Sequence, residues 1–77
     1  MTRFTFSLSR AGVASDAGIV LGDSFTEALD ALAREPQVAV GDTIEIGVPG
    51  FPPARYECIP LGTAKRGFQP IGGRLAA

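Results

Sequence analysis

Ser24-Phe25-Thr26-Glu27-Ala28-Leu29-Asp30-Ala31-Leu32-Ala33-Arg34-Glu35 is the stretch whose reading decides the fold. Phe25, Ala28, Leu29, Leu32 and Ala33 recur at i, i+3, i+4, i+7 and i+8, which lays an apolar stripe along a helix of about three turns. Ser24 followed by Glu27 is a capping box, in which the hydroxyl accepts from the Glu27 amide and the carboxylate reaches back to the Ser24 amide. Pro36 lacks an amide proton and disfavours helical geometry at Glu35, so the helix stops there. The stripe must be covered by a second layer.

The sequence on either side supplies strands. Residues 3–9 alternate, with Phe4, Phe6 and Leu8 on one side and Arg3, Thr5, Ser7 and Ser9 on the other, the pattern of a half-buried strand. Ser15-Asp16-Ala17-Gly18 has turn chemistry and leads into Ile19-Val20-Leu21, so a hairpin turning at 15–18 is expected. After the helix, residues 37–40 read as extended, Gly41-Asp42 as a turn and residues 43–48 as a strand with Ile44, Ile46 and Val48 inward. Pro49-Gly50-Phe51-Pro52-Pro53 is a stiff loop, because its prolines fix φ and remove donors. Residues 55–61 form a last strand with Tyr56 and Cys58 inward. Residues 62–77 read as a Gly-rich basic tail, with room for a short strand near Phe68.

The fold expected is therefore α+β: one domain over residues 1–61, a four-stranded, mainly antiparallel sheet with a helix on one face, in the order ββαββ. Phe4, Phe6, Leu8, Ile19, Leu21, Phe25, Leu29, Leu32, Ile44, Ile46, Val48 and Tyr56 are its expected core.

Composition narrows the function. At 77 residues a domain buries only about 60 to 65% of the surface its unfolded chain exposes. Hydrophobic residues make up 45%, too many for a disordered chain, and no apolar run approaches the roughly 20 residues of a bilayer span. The N-terminus has no signal-peptide pattern and Cys58 is the single cysteine, so a cytosolic protein is expected. Residues 1–60 hold eight carboxylates against four arginines, while 61–77 hold Lys65, Arg66 and Arg74 without an acid. An acidic body of this kind does not suit direct binding to nucleic acid, which needs clustered Lys and Arg.

The segment Ile19-Val20-Leu21-Gly22-Asp23-Ser24-Phe25-Thr26-Glu27 resembles the first block of the SGNH (GDSL-type) hydrolases, and Gly47-Val48-Pro49-Gly50 their second. The resemblance implies Ser24 as nucleophile and Gly47 or Gly50 as the oxyanion glycine. Such enzymes also require a catalytic His and an oxyanion-hole Asn, and the chain contains neither. Without a base the hydroxyl is a poor nucleophile at neutral pH, so Ser24 is read as a helix cap and no catalytic residue is assigned. One cysteine, no histidine and scattered carboxylates supply no metal set, and no cofactor is expected. Cys58 reads as a small core residue.

Gly72-Gly73, the two strands and helix, and Gly41-Asp42-Thr43-Ile44-Glu45-Ile46 look like a β-grasp protein of the ubiquitin or sulfur-carrier type, which implies a carrier or adaptor working through its C-terminal glycines. Here Arg74-Leu75-Ala76-Ala77 follows them, and its Leu-Ala-Ala end resembles that of the bacterial ribosome-rescue degradation tag.

Surface features complete the reading. Asp23, Glu27 and Asp30 lie on the polar side of the helix, with a helix-dipole role and an Asp30–Arg34 pair expected; Asp16, Asp42, Glu45 and Glu57 are expected to be exposed as well. Phe51 on its proline loop is a candidate anchor. Size, layout, lack of catalytic residues and acidic body together are similar to the small phage-encoded anti-CRISPR proteins. That resemblance implies a non-enzymatic inhibitor in the host bacterial cytosol that binds the basic surface of a protein such as a CRISPR effector subunit. Asp23, Glu27, Asp30, Glu45 and Phe51 would be its contact residues.

Overall fold

The computed structural model describes residues 1–71. The expected Gly72-Gly73 function and the tail beyond it lie outside those residues. Five strands and one helix follow in the order β1 (Thr2–Arg10), β2 (Val13–Gly22), α1 (Phe25–Ala33), β3 (Thr43–Gly47), β4 (Ala54–Pro60) and β5 (Arg66–Pro70). The sheet order is β2-β1-β3-β4-β5, and every pairing is antiparallel. The α+β class with one helix and an antiparallel sheet is thus as expected, but the sheet has five strands and the order is ββαβββ. The extra strand is β5, within the stretch read as tail. Its Phe68 pairs with Cys58 and packs against the core. Among the described residues the sheet lacks the parallel strand pair of a β-grasp fold.

The first hairpin is longer than expected. Its turn is Ala11-Gly12, both with positive φ (54° and 81°), the backbone of a two-residue primed turn whose twist matches the strands it joins. Residues 15–18 are not a turn but part of β2. Ser9 pairs with Ala14 and Leu8 with Asp16, so Ser15 is the extra residue of a β-bulge, and its hydroxyl donates to the Leu8 carbonyl at 3.3 Å. The polar, glycine-containing run that looked like a turn is the irregularity that a bulge accommodates.

The hairpin register also reverses part of the expected core. Val20 faces Phe4, whereas Ile19 pairs with Thr5 and Leu21 with Arg3. Because side chains alternate with period two, Ile19 and Leu21 share the open face with Thr5 and Arg3, and they are 57% and 52% exposed. The buried core is Phe4, Leu8, Ala28, Leu32, Ala33, Val38, Ile44, Ile46 and Cys58, with Phe6, Val20, Leu29, Val48, Tyr56 and Phe68 packed against it. Phe25, expected in the core, is half exposed and tilts its ring against Phe4 at 4.9 Å between centroids.

The helix begins as the capping box requires. Ser24 is extended and its hydroxyl accepts from the Glu27 amide at 3.2 Å. The Glu27 carboxylate instead reaches one residue further back than expected, accepting from the Asp23 amide at 2.9 Å. Gly22 lets the helix sit this close to β2: a Cβ there would come within 3.0 Å of the Ala28 backbone nitrogen. The helix ends at Ala33, two residues early, and the Arg34 and Glu35 amides donate to the Ala31 and Leu32 carbonyls in a tighter final turn.

Candidate interaction surface

The sheet has two ends, and the candidate residues divide between them and its open face. Thr2 pairs with Gly22 and Thr5 with Gly47, so the helix N-terminus and the loop that follows β3 leave the sheet at the same end. Asp23, Ser24 and Glu27 are exposed there. Asp23 pairs with the N-terminal ammonium of Met1 at 3.5 Å, and both groups are open to solvent. In the loop after β3, the Phe51 amide donates to the Val48 carbonyl at 3.2 Å. Pro49 and Gly50, the latter at φ 90°, occupy the middle positions of a type II turn, where proline presets φ and glycine permits the positive value. This turn holds Phe51 outward, 71% exposed.

Glu45 lies elsewhere. It sits between the buried Ile44 and Ile46, on the open face of the sheet, beside Arg55 at 3.5 Å. Asp30 is exposed on the helix, and the ion pairs of the described residues do not include the expected Asp30–Arg34 pair. Asp30 and Arg34 instead line one wall of a cleft against Leu61, Lys65 and Arg66. Asp23, Glu27 and Phe51 thus leave the sheet at the same end, Asp30 lies one turn beyond Glu27 on the helix, and Glu45 is on the open face.

Asp42, expected to be exposed, is the one buried charge among the described residues, with 1% of its surface accessible. Its carboxylate accepts from the Arg10 Nε at 2.8 Å, from the Arg10 Nη2 at 3.0 Å and from the Ala39 amide at 2.9 Å. The same guanidinium donates to the Gln37 carbonyl at 3.0 Å. A two-pronged Arg contact plus a backbone amide is what a buried carboxylate needs to offset its lost hydration. The Arg10 hydrogen bonds hold the Asp42 carboxyl below the usual carboxylate range, against the opposing effect of burial. The Asp42 backbone also accepts from Cys58 at 2.8 Å, which ties the 37–42 loop to β4. This pair clamps β1, the helix exit and β4 together; its place is structural.

The Ser24 hydroxyl is occupied as a cap, and burial pushes the Cys58 thiol up, away from the thiolate that nucleophilic chemistry needs. Among the described residues no group of three His, Cys, Asp or Glu side chains is placed to hold a metal ion, and no helix is long and apolar enough to cross a membrane.

No protein-family model, no curated protein and no solved structure matches the chain.

Proposed function

We propose that the chain is a non-enzymatic protein-binding inhibitor of the anti-CRISPR kind, acting in the bacterial cytosol on the basic surface of a nucleic-acid-handling complex such as a CRISPR effector subunit. The observation that carries this reading is Phe51, 71% exposed as the closing residue of a proline-stiffened turn, on the same end of the sheet as Asp23 and Glu27. An aromatic ring held outward by a turn with little freedom loses little entropy on docking. Carboxylates on the same end steer it toward surfaces lined by Lys and Arg. Glu45, on the open face of the sheet, is left out of this contact, and Asp30, one helical turn beyond Glu27, lies at its margin. A carrier or adaptor role through Gly72-Gly73 is the alternative, and no feature of the described residues favours it.

The experiment has two arms. Bacteria carrying an active CRISPR system and expressing the chain are challenged with a targeted phage, and the purified chain is titrated onto the corresponding effector complex by interferometry. Restored plaquing is expected, with Phe51→Ala weakening binding by about tenfold or more. Asp23→Asn should slow association at about 50 mM salt and much less at about 500 mM, where the Debye length falls to about 4 Å. Unchanged immunity across a panel of CRISPR types removes the inhibitor reading. Full binding by the Phe51→Ala variant removes the surface.

A further inference from the structure

The connection from β4 to β5 folds back beside the second half of the helix, and between them lies a cleft of about 520 Å³ lined by Asp30, Ala33, Arg34, Leu61, Lys65 and Arg66 among others. Its volume falls within the range of small-molecule sites, roughly 300 to 1,000 Å³. Three cations and one carboxylate on the walls leave it positive. Arg66 is anchored, donating to the Val38 carbonyl and at 3.4 Å to the Glu35 carbonyl, so its guanidinium is tied to the loop that leaves the helix. The turn that carries Lys65 is closed by the Leu61 amide donating to the Lys65 carbonyl at 2.9 Å, and Leu61 packs over Gly67.

Ion pairs among the described residues join Met1 to Asp23, Arg10 to Asp42 and Arg55 to Glu45; Arg34, Lys65 and Arg66 enter none of them. Arg34 and Lys65 are exposed, so their mutual repulsion is weak, and an anion in the cleft would gain from all three cations at once. Arg66 is held by the two loop carbonyls, whereas the side chains of Arg34 and Lys65 enter none of the hydrogen bonds or ion pairs found among the described residues. A phosphomonoester, with a charge of about −1.5 to −2 and three acceptor oxygens, matches such a set better than a single carboxylate does.

We infer that this cleft binds a small phosphomonoester of nucleotide size, its phosphate between Arg34 and Lys65 beside Arg66, and its less polar part against Leu61 and Ala33. The inference is independent of the Phe51 surface, which lies at the opposite end of the sheet.

Isothermal titration of the full chain with AMP, and with adenosine as the uncharged control, tests it. AMP should bind with a Kd at or below about 1 mM in low salt, and adenosine should not. A double change, Arg34→Gln with Lys65→Gln, should weaken AMP binding about tenfold or more while the circular dichroism spectrum stays native. Asp30→Asn removes the opposing carboxylate and should tighten binding about two- to threefold. Absence of AMP binding, equal binding of adenosine, or undiminished binding by the folded double variant overturns the inference. If the double variant does not fold, Asp30→Asn decides: failure to tighten overturns the site.

Discussion

Residues 22–27 and residues 37–42 use the same chemistry with different stakes. At the helix start, Ser24 accepts from the Glu27 amide and Glu27 from the Asp23 amide, all within five consecutive, exposed residues. At the helix exit, Asp42 accepts from the Ala39 amide but depends on Arg10, 32 residues away, and is almost fully buried. In the first loop water replaces any bond that is lost. In the second a lost carboxylate leaves the part-buried Ala39 amide without its acceptor and releases Arg10, at the end of β1, from the loop that bonds β4. Side chains that satisfy backbone amides are thus worth little or much according to solvent access, not according to bond length.

The largest expected effect follows from that difference. Asp42→Ala orphans the Ala39 amide and opens a small cavity, and should cost about 3 kcal/mol. At about 4 to 8 °C per kcal/mol for a domain of this size, the melting temperature should fall by more than about 10 °C. A loss equal to that of the helix-cap variants would erase the distinction between the two loops.

Acid titration sharpens it next. The native Asp42 carboxyl lies below its ordinary range because of the Arg10 hydrogen bonds. Its contribution is therefore complete above the unfolded value of about 3.9 and is lost as pH falls through the depressed native value. Asp42→Asn keeps an acceptor for Ala39 but cannot titrate. The stability gap between wild type and this variant should be widest near pH 7 and close below about pH 4, as read by denaturant unfolding across pH. A gap independent of pH would mean that the pair adds no charge-dependent stability.

Smaller changes are expected at the exposed loop. Ser24→Ala should cost about 1 kcal/mol, and Ser24→Asp should cost almost nothing because Asp caps equally well. Thermal melts of the two variants separate a cap from any other role for the hydroxyl. Least of all, Glu27→Gln should shift stability by no more than about 0.5 kcal/mol, since an amide oxygen still accepts from Asp23 and only the dipole contribution is lost. A loss comparable to that of Asp42→Ala would show that this end is more tightly coupled to the core than its exposure implies.

Legibility follows the same division. The helix, its cap, the alternation in β1 and β3 and the rigidity of the loop around Phe51 were all readable, because each depends on neighbours a few residues apart. The hairpin turn was misread because Ala11-Gly12 is a weak turn signal beside Ser15-Asp16-Ala17-Gly18, and only pairing with β1 makes the latter a bulge. The sequence places Ile19 and Leu21 inward only by default, because a run of three apolar residues has no phase of its own. Their partners Thr5 and Arg3 supply it. Of the candidate surface, the outward side of Asp23, Glu27, Asp30 and Glu45 and the exposure of Phe51 are legible in the sequence, while which of them share an end of the sheet required the strand order.

Sequence alone therefore determined the class: one helix against an antiparallel sheet and an acidic N-terminal body, since propensity, periodicity and composition are local or additive quantities. Only the tertiary structure decided that Asp42 is buried on Arg10, that residues 66–70 form a fifth strand and that Arg34, Lys65 and Arg66 share one cleft. Each of these joins residues distant in sequence, and burial, charge partnership and strand phase are properties of the pair and not of either residue.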